Sequence, residues 1–285
     1  MRIGFAGLGR MGTPMARNIA AAGFDLTLWN RSFDKAQALA ADLGCAVAES
    51  PRDLSEDVDV VVTMLSDDLA SLAVHEGLFA GAARTYVEMG TMSPDHIHAL
   101  KALAPEGATV IDAPVSGATQ AAKDAQLLIM AGCDQATAAP LSRLFEALGK
   151  QTICFGRPGA GAIMKLAVNS LIHGINQTLA EAMTLAEAAG IDSALAFDVI
   201  ENSAACAPML KYRRPLYLDE SAQVVTFTVS LARKDMEVTA KLAAALGTAM
   251  PQGQVTLDTL MQAEAAGYGP RDMASILPFM RKEHP

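Results

Sequence analysis

Met1-Arg2-Ile3-Gly4-Phe5-Ala6-Gly7-Leu8-Gly9-Arg10-Met11-Gly12, with its continuation to Ser32, decides the fold. Arg2 to Ala6 is a short buried strand, Gly7 to Gly12 spells G-x-G-x-x-G, and Thr13 to Ala22 carries apolar residues at helical spacing up to a stop at Gly23. A second strand, Asp25 to Trp29, follows. The glycines have mechanical reasons: Gly7 permits the tight turn, Gly9 lets backbone approach a pyrophosphate, and Gly12 lets the helix pack close to the strand with its amino end toward the phosphates. In a chain with 22 glycines those six residues alone also read as an ordinary turn. The flanking strand, helix and strand make them a dinucleotide fingerprint.

The second strand runs into Asn30-Arg31-Ser32, where an Asp or Glu commonly holds the ribose 2′-hydroxyl of NAD. No acid stands there. Arg31 can pair with a 2′-phosphate instead, a charge-assisted contact worth roughly 1.5 to 3 kcal/mol. NADP(H) is therefore favoured, with NAD(H) still possible; the plainer reading of Arg31 is a solvated loop charge.

At 285 residues and 51% hydrophobic content the chain suits two domains with sizeable cores. A net charge of -9 argues against nucleic acid as a partner. Lys211, Arg213 and Arg214 form the strongest basic cluster, read as a solvated turn beside Pro215. The four cysteines, Cys45, Cys133, Cys154 and Cys206, have no metal-like spacing and read as small buried apolar residues. The first residues enter a strand without a charged leader, and no run reaches the ~18 apolar residues a membrane span needs. A cytoplasmic enzyme is expected.

Strands and helices alternate to about residue 156: strands at Val58 to Met64, Thr85 to Met89, Thr109 to Ala113, Leu127 to Ala131 and Gln151 to Phe155, with a helix such as Asp134 to Leu148 between. Beyond Gly161 strand signals almost vanish. Ala162 to Ala189 reads as one long helix, followed by helices broken near Pro208, Pro215, Pro251 and Gly267. The fold class is α/β, a Rossmann-type doubly wound and mostly parallel sheet over 1–161, followed by an all-α domain over 162–285 for substrate and oligomerisation. The alanine and leucine content of the second part points to a homodimer or homotetramer.

The chemistry is expected where the two parts join. Asp112-Ala113-Pro114-Val115-Ser116-Gly117 leaves a strand and opens a helix, so its amides and the Ser116 hydroxyl can hold an anion, naturally a substrate carboxylate. Alone it reads equally as a strand-to-helix turn with Ser116 near a cap. Gly156-Arg157-Pro158-Gly159-Ala160-Gly161 feeds the long helix, which presents Lys165 and Asn169 on one face. Apolar neighbours can bring a lysine into the working range of a general acid or base, although a helical lysine is usually a surface charge.

Taken together these motifs resemble the beta-hydroxyacid dehydrogenase family, which includes 3-hydroxyisobutyrate dehydrogenase, tartronate semialdehyde reductase and the glyoxylate/succinic semialdehyde reductases. The marks are Gly7 to Gly12, Asp112 to Gly117, Gly161-x-x-x-Lys165-x-x-x-Asn169 and Lys234-Asp235-Met236, and they cover essentially the whole chain. The resemblance implies that Lys165 is the catalytic residue, with Asn169 in the catalytic pair, and that Ser116, Gly117 and Asn169 hold the substrate. It also implies that Thr91 and Lys234 lie against cofactor or substrate and that Phe227 and Asp235 border the substrate pocket. The candidate cofactor residues are Gly7, Leu8, Gly9, Arg10, Met11, Gly12, Asn30, Arg31, Ser32, Met64, Leu65, Thr91 and Lys234. No metal is expected.

Three departures stand out: Ala118 where the family often has a second glycine, Ala125 in place of another glycine before Leu127, and Ser170 for a second asparagine. They bear on the substrate more than on the reaction. Imine reductases usually lack the lysine, and 6-phosphogluconate dehydrogenases have a much longer helical domain. The expected activity is an NADP(H)-dependent interconversion of a short semialdehyde or 2-oxo acid and its hydroxyacid, of the glyoxylate, succinic semialdehyde, tartronate semialdehyde or 3-hydroxyisobutyrate type. A non-catalytic NADP-binding sensor on the same fold is the alternative. Retention of Lys165, Asn169 and Ser116 together argues against it.

Overall fold

The computed structural model describes residues 1–219, 221 and 224–283. The chain divides into two compact units, Met1–Lys165 and Leu166–Pro285.

In the first unit, β1 (Arg2–Ala6), β2 (Asp25–Trp29), β3 (Ala46–Val47), β4 (Val60–Thr63), β5 (Thr85–Glu88) and β6 (Thr109–Asp112) form one sheet in the order β3-β2-β1-β4-β5-β6. Every pair in it is parallel. The crossovers are α1 (Gly12–Ala21), α2 (Phe33–Leu43), α3 (Pro51–Glu56), α4 (Asp68–Leu78) and α5 (Pro94–Leu103). Val60-Val61-Val62-Thr63 is buried along its whole length, as a central strand covered on both faces must be. Caps set the helix starts: Asp67 accepts from the Ala70 N–H at 2.9 Å, and Ser93, followed by Pro94, accepts from His96 N–H at 3.0 Å.

The remaining strands depart from the expected single sheet. β7 (Val115–Ser116), β8 (Leu127–Ala131) and β9 (Gly149–Cys154) form a separate three-stranded sheet, with β7 antiparallel to β8 and β8 parallel to β9. The Met130 amide donates to Pro114 O at 2.9 Å, which draws the chain after Asp112 away from the main sheet. Between these strands lie α6 (Thr119–Lys123), α7 (Gln135–Ala138) and α8 (Ser142–Leu148). The helix expected over Asp134 to Leu148 is thus split, with a 3₁₀ turn at Ala139–Leu141, because Pro140 has no N–H to continue the ladder.

The long helix α9 (Ala160–Ala188) begins in the first unit and continues into the second. The second unit adds α10 (Ser193–Asn202), α11 (Pro208–Leu218), α12 (Val229–Ala245), α13 (Pro251–Ala263) and α14 (Ile276–Glu283), around a core including Met183, Phe197, Tyr217, Met236, Leu260 and Leu277. Pro208 and Pro251 start helices and Gly267, at φ +87°, kinks one. Pro215 does not break its helix; it lies within α11.

Two readings of single residues are corrected. The basic cluster is not a solvated turn: Arg213 is buried on α11 and its Nη1 meets Asp272 Oδ1 at 2.6 Å, while Arg214 pairs with Asp198 and Glu201. Of the cysteines only Cys133 is buried, the other three being half-buried. Among the described residues no helix is long and apolar enough to cross a membrane.

Candidate active site

The glycine loop joins β1 to α1 at the carboxyl edge of the parallel sheet, where open α/β sheets place their ligands. Gly7 has φ +99°, and a Cβ there would stand 2.4 Å from Met64 O. A Cβ on Gly12 would stand 1.9 Å from Gly7 O, so the turn closes only with hydrogen at both positions. Nothing lies within 4 Å of a Cβ on Gly9. The loop is therefore tight beneath and open above, the shape a pyrophosphate needs. Met64 and Leu65, at the end of β4, adjoin this turn, as the clash at Gly7 records.

The end of β2 is tied to the loop by a side chain. Asn30 Oδ1 accepts from the Leu8 amide at 3.0 Å and its Nδ2 donates to Ser32 O at 3.2 Å. Asn30 thus holds the glycine loop in place, and Leu8's amide is spent on it. Arg31 and Ser32 are exposed beside it, Ser32 capping α2 in position without a side-chain cap bond. Arg10 is exposed on the loop and Met11 half-buried before α1. These residues fit a nicotinamide adenine dinucleotide: an open glycine approach, a helix start, and an arginine where an acid would repel a phosphate.

At the end of β5, Gly90 and Thr91 turn toward α5, with Thr91 half-buried. Glu88, which the sequence reading passed over, is fully buried at the last position of β5 and accepts from the Ser71 hydroxyl at 2.6 Å and the Gly90 amide at 2.9 Å. Burial pushes its carboxyl up to about 7.

Asp112 closes β6 and is buried. Its Oδ1 accepts from Gly159 N–H and its Oδ2 from Ala162 N–H, both at 2.9 Å. A carboxylate therefore sits on the amino end of α9, satisfying donors that a helix start leaves unpaired and facing the positive end of its dipole. Burial raises the Asp112 carboxyl while those amide bonds lower it, with burial the larger effect. Added Cβ atoms on Gly132 and Gly161 would lie 2.0 Å and 3.0 Å from its carboxylate oxygens, so both glycines make room for it.

Ser116 and Gly117 stand differently from expectation. Ser116 is the end of β7, not the start of a helix, and α6 is five residues long with Ala118 before it and no side-chain cap. No helix dipole serves an anion at Ser116; the position offers the Ser116 hydroxyl, half-buried, and an exposed Gly117 at φ +139°.

On α9, Lys165 is half-buried and Asn169 buried, one turn apart. His173 continues that face by a further turn; it is buried, and its ring packs on Phe227 with centroids 5.6 Å apart. Its i+4 spacing from Asn169 was the available signal. Asn169 Nδ2 donates to Asp235 Oδ2 at 2.5 Å, and Asp235 Oδ1 lies 2.7 Å from Lys234 Nζ. Asp235 is fully buried between these two and orients Asn169. Phe227 precedes α12, its amide donating to Asp272 Oδ2 at 3.2 Å.

Residues 2–156 match the family model described as the NAD binding domain of 6-phosphogluconate dehydrogenase. Residues 159–280 match the one described as NAD-binding of NADP-dependent 3-hydroxyisobutyrate dehydrogenase. Glyoxylate/succinic semialdehyde reductase 1 of Arabidopsis thaliana is 30% identical, covering 97% of each chain. An NAD-dependent L-serine dehydrogenase of Pseudomonas aeruginosa is 30% identical, covering 96% of each chain. The solved 3-hydroxyisobutyrate dehydrogenase of Mycobacterium tuberculosis with L-serine superposes with a TM-score of 0.86 at 28% identity, over 99% of this chain and 100% of that one.

Proposed function

The chain belongs to the beta-hydroxyacid dehydrogenase family, an NAD(P)-binding oxidoreductase family, and from that premise we propose a cytoplasmic enzyme that interconverts a short semialdehyde or 2-oxo acid and its hydroxyacid, with NADP(H) preferred. Lys165 is its general acid and base. The observation that carries this reading is the placement of Lys165 and Asn169 one turn apart on a helix whose start is fixed by Asp112 and whose asparagine is fixed by Asp235.

The dinucleotide, when bound, supplies or accepts the hydride. In reduction the carbonyl oxygen gains negative charge, which the Lys165 ammonium stabilises and then protonates; in oxidation the neutral amine takes the proton back. Asn169 gives one Nδ2 hydrogen to Asp235, which fixes the amide so that its carbonyl oxygen can accept from Lys165 or a substrate hydroxyl. Ser116 and Gly117 hold the substrate carboxylate. Arg31 takes the 2′-phosphate.

NADPH and NADH oxidation should be followed with glyoxylate, succinic semialdehyde, tartronate semialdehyde and methylmalonate semialdehyde, and the reverse reaction with the matching hydroxyacids. The reading expects one acid to lead clearly in kcat/KM with NADPH, and Arg31→Asp to lower the NADPH-to-NADH affinity ratio by about tenfold or more. Binding without turnover of any of these would overturn the enzymatic reading. An unchanged ratio would remove Arg31 from the cofactor site.

A further inference from the structure

The loop from Met89 to Ser93 is held at both ends by acids, the buried Glu88 and the half-buried Asp68. Glu88 Oε1 takes the Gly90 amide at 2.9 Å, and Asp68, the first residue of α4, takes the Ser93 amide at 2.9 Å and the Ser93 hydroxyl at 2.6 Å. Space around the loop is also closed: a Cβ on Gly90 would stand 2.6 Å from Leu65 O, 2.5 Å from Met92 Cε and 2.9 Å from Glu88 Oε1. Thr91 lies between these anchors.

We propose that Glu88 is a positioning residue that sets the Gly90–Thr91 backbone, and that its proton couples affinity for the dinucleotide to pH. This rests on the reading of Thr91 as a cofactor contact. An ionised carboxylate makes a charge-assisted bond to the Gly90 amide, roughly twice as strong as the bond a neutral acid makes. The loop is therefore held better above the titration of Glu88 than below it.

The surroundings keep Glu88 the group that changes. From α4, Asp68 faces it and opposes its ionisation, while the Ser71 and Thr63 hydroxyls favour it. His75, also on α4, has its Nδ1 2.9 Å from Ser71 O, and burial lowers it to about 4, so it is neutral throughout the range concerned. Asp67 caps α4, and His96 on α5 is pushed down by burial. On the next strand Asp112 is the register partner of Glu88, and its carboxylate is engaged with Gly159 and Ala162.

The test is the NADPH dissociation constant, read by fluorescence from pH 5.5 to 8.5, for the wild type, Glu88→Gln and Ser71→Ala. The wild type should bind about fivefold more tightly at pH 8 than at pH 6, beyond any pH dependence that Glu88→Gln retains from the dinucleotide's own phosphate. Ser71→Ala removes a bond to the carboxylate and should move the midpoint to higher pH. Superimposable profiles for wild type and Glu88→Gln, or an unmoved midpoint in Ser71→Ala, would overturn the proposal while leaving the enzymatic reading intact. Should Glu88→Gln not fold, Ser71→Ala alone decides. A wild type that binds neither NADPH nor NADH at any pH would overturn the functional reading, and this proposal with it.

Discussion

The placement of Lys165 and Asn169 one turn apart on a helix was legible from their spacing; what fixes them was not. Lys165→Met keeps the stem and removes the proton donor, so kcat should fall ~10²-fold to 10⁴-fold with NADPH affinity unchanged, as single-turnover and binding measurements would establish. Ser116→Ala should instead raise KM, because a carboxylate contact is present before and during hydride transfer. Ala125 gives a second residue-scale prediction. It occupies a position where the family resemblance anticipates glycine, and it is the sole non-glycine with positive φ among the described residues, at +53°. That conformation strains any residue with a Cβ. Ala125→Gly should raise stability by about 1 kcal/mol in urea unfolding, and a loss of stability would refute the strain. Ala118, the other lost glycine, has φ -76° and needs no such relief. Glu88 escaped the sequence reading because a polar residue inside an apolar stretch discloses neither its burial nor its partners until the fold is known.

At the scale of elements, the six parallel strands were legible from apolar runs between turn signals, apart from the two-residue β3, which is too short to carry a pattern. Of the second sheet, β8 and β9 were legible as strands but their separation from the main sheet was not: β7 is also two residues long, and no local rule says that Val115 will pair with Ile129 rather than follow β6. Nor does a sequence reveal that Asp112 reaches across to α9. Asp112→Ala should leave two amides at the start of that helix unpaired, costing about 2 to 3 kcal/mol in denaturant unfolding and lowering kcat more than NADPH affinity. An effect confined to cofactor binding would contradict its role as the clamp of the Lys165 helix. The α4–β5 contact makes a prediction about acid stability. His75 is lowered from 6.5 to about 4, so its stabilising contribution is complete above pH 6.5 and is lost as pH falls toward 4. Glu88 is raised from 4.5 to about 7, so its contribution has the opposite course, complete below pH 4.5 and lost as pH rises to 7. Each amounts to about 3 kcal/mol, and between pH 4.5 and 6.5 they largely offset. Removing Glu88's titration should unmask His75: Glu88→Gln should lose thermal stability on acidification from pH 7 to 5 more steeply than the wild type. Parallel Tm profiles would show that the offset does not exist.

At the scale of the whole molecule, the fold class was legible, an α/β part followed by a helical part, because hydrophobic period changes from strand-like to helical near Gly161. The surface of the second unit bears on the assembly that composition suggests. Leu171 and Leu185 lie fourteen residues apart on α9, a little under four turns, and are 65% and 74% exposed. On α10, Leu195 and Val199, one turn apart, are 57% and 65% exposed. Single exposed leucines are ordinary, but a sparse apolar row on α9, interrupted by Thr178 and Glu181, and the Leu195–Val199 pair on α10 leave water against surface that a second copy of the chain would cover. A net charge of -9 opposes association at long range, so the contact must come from apolar burial. Light scattering at micromolar concentration should therefore give a dimer or larger assembly. The double variant Leu171→Glu, Leu185→Glu places two charges in the row and should shift the population to monomer, while a dimer that Tm reports as concentration-dependent in the wild type should lose that dependence. A wild type that is monomeric, or a double variant that assembles unchanged, would mean that the α9 row faces solvent by design of some other kind and that the helical unit is stable on its own core.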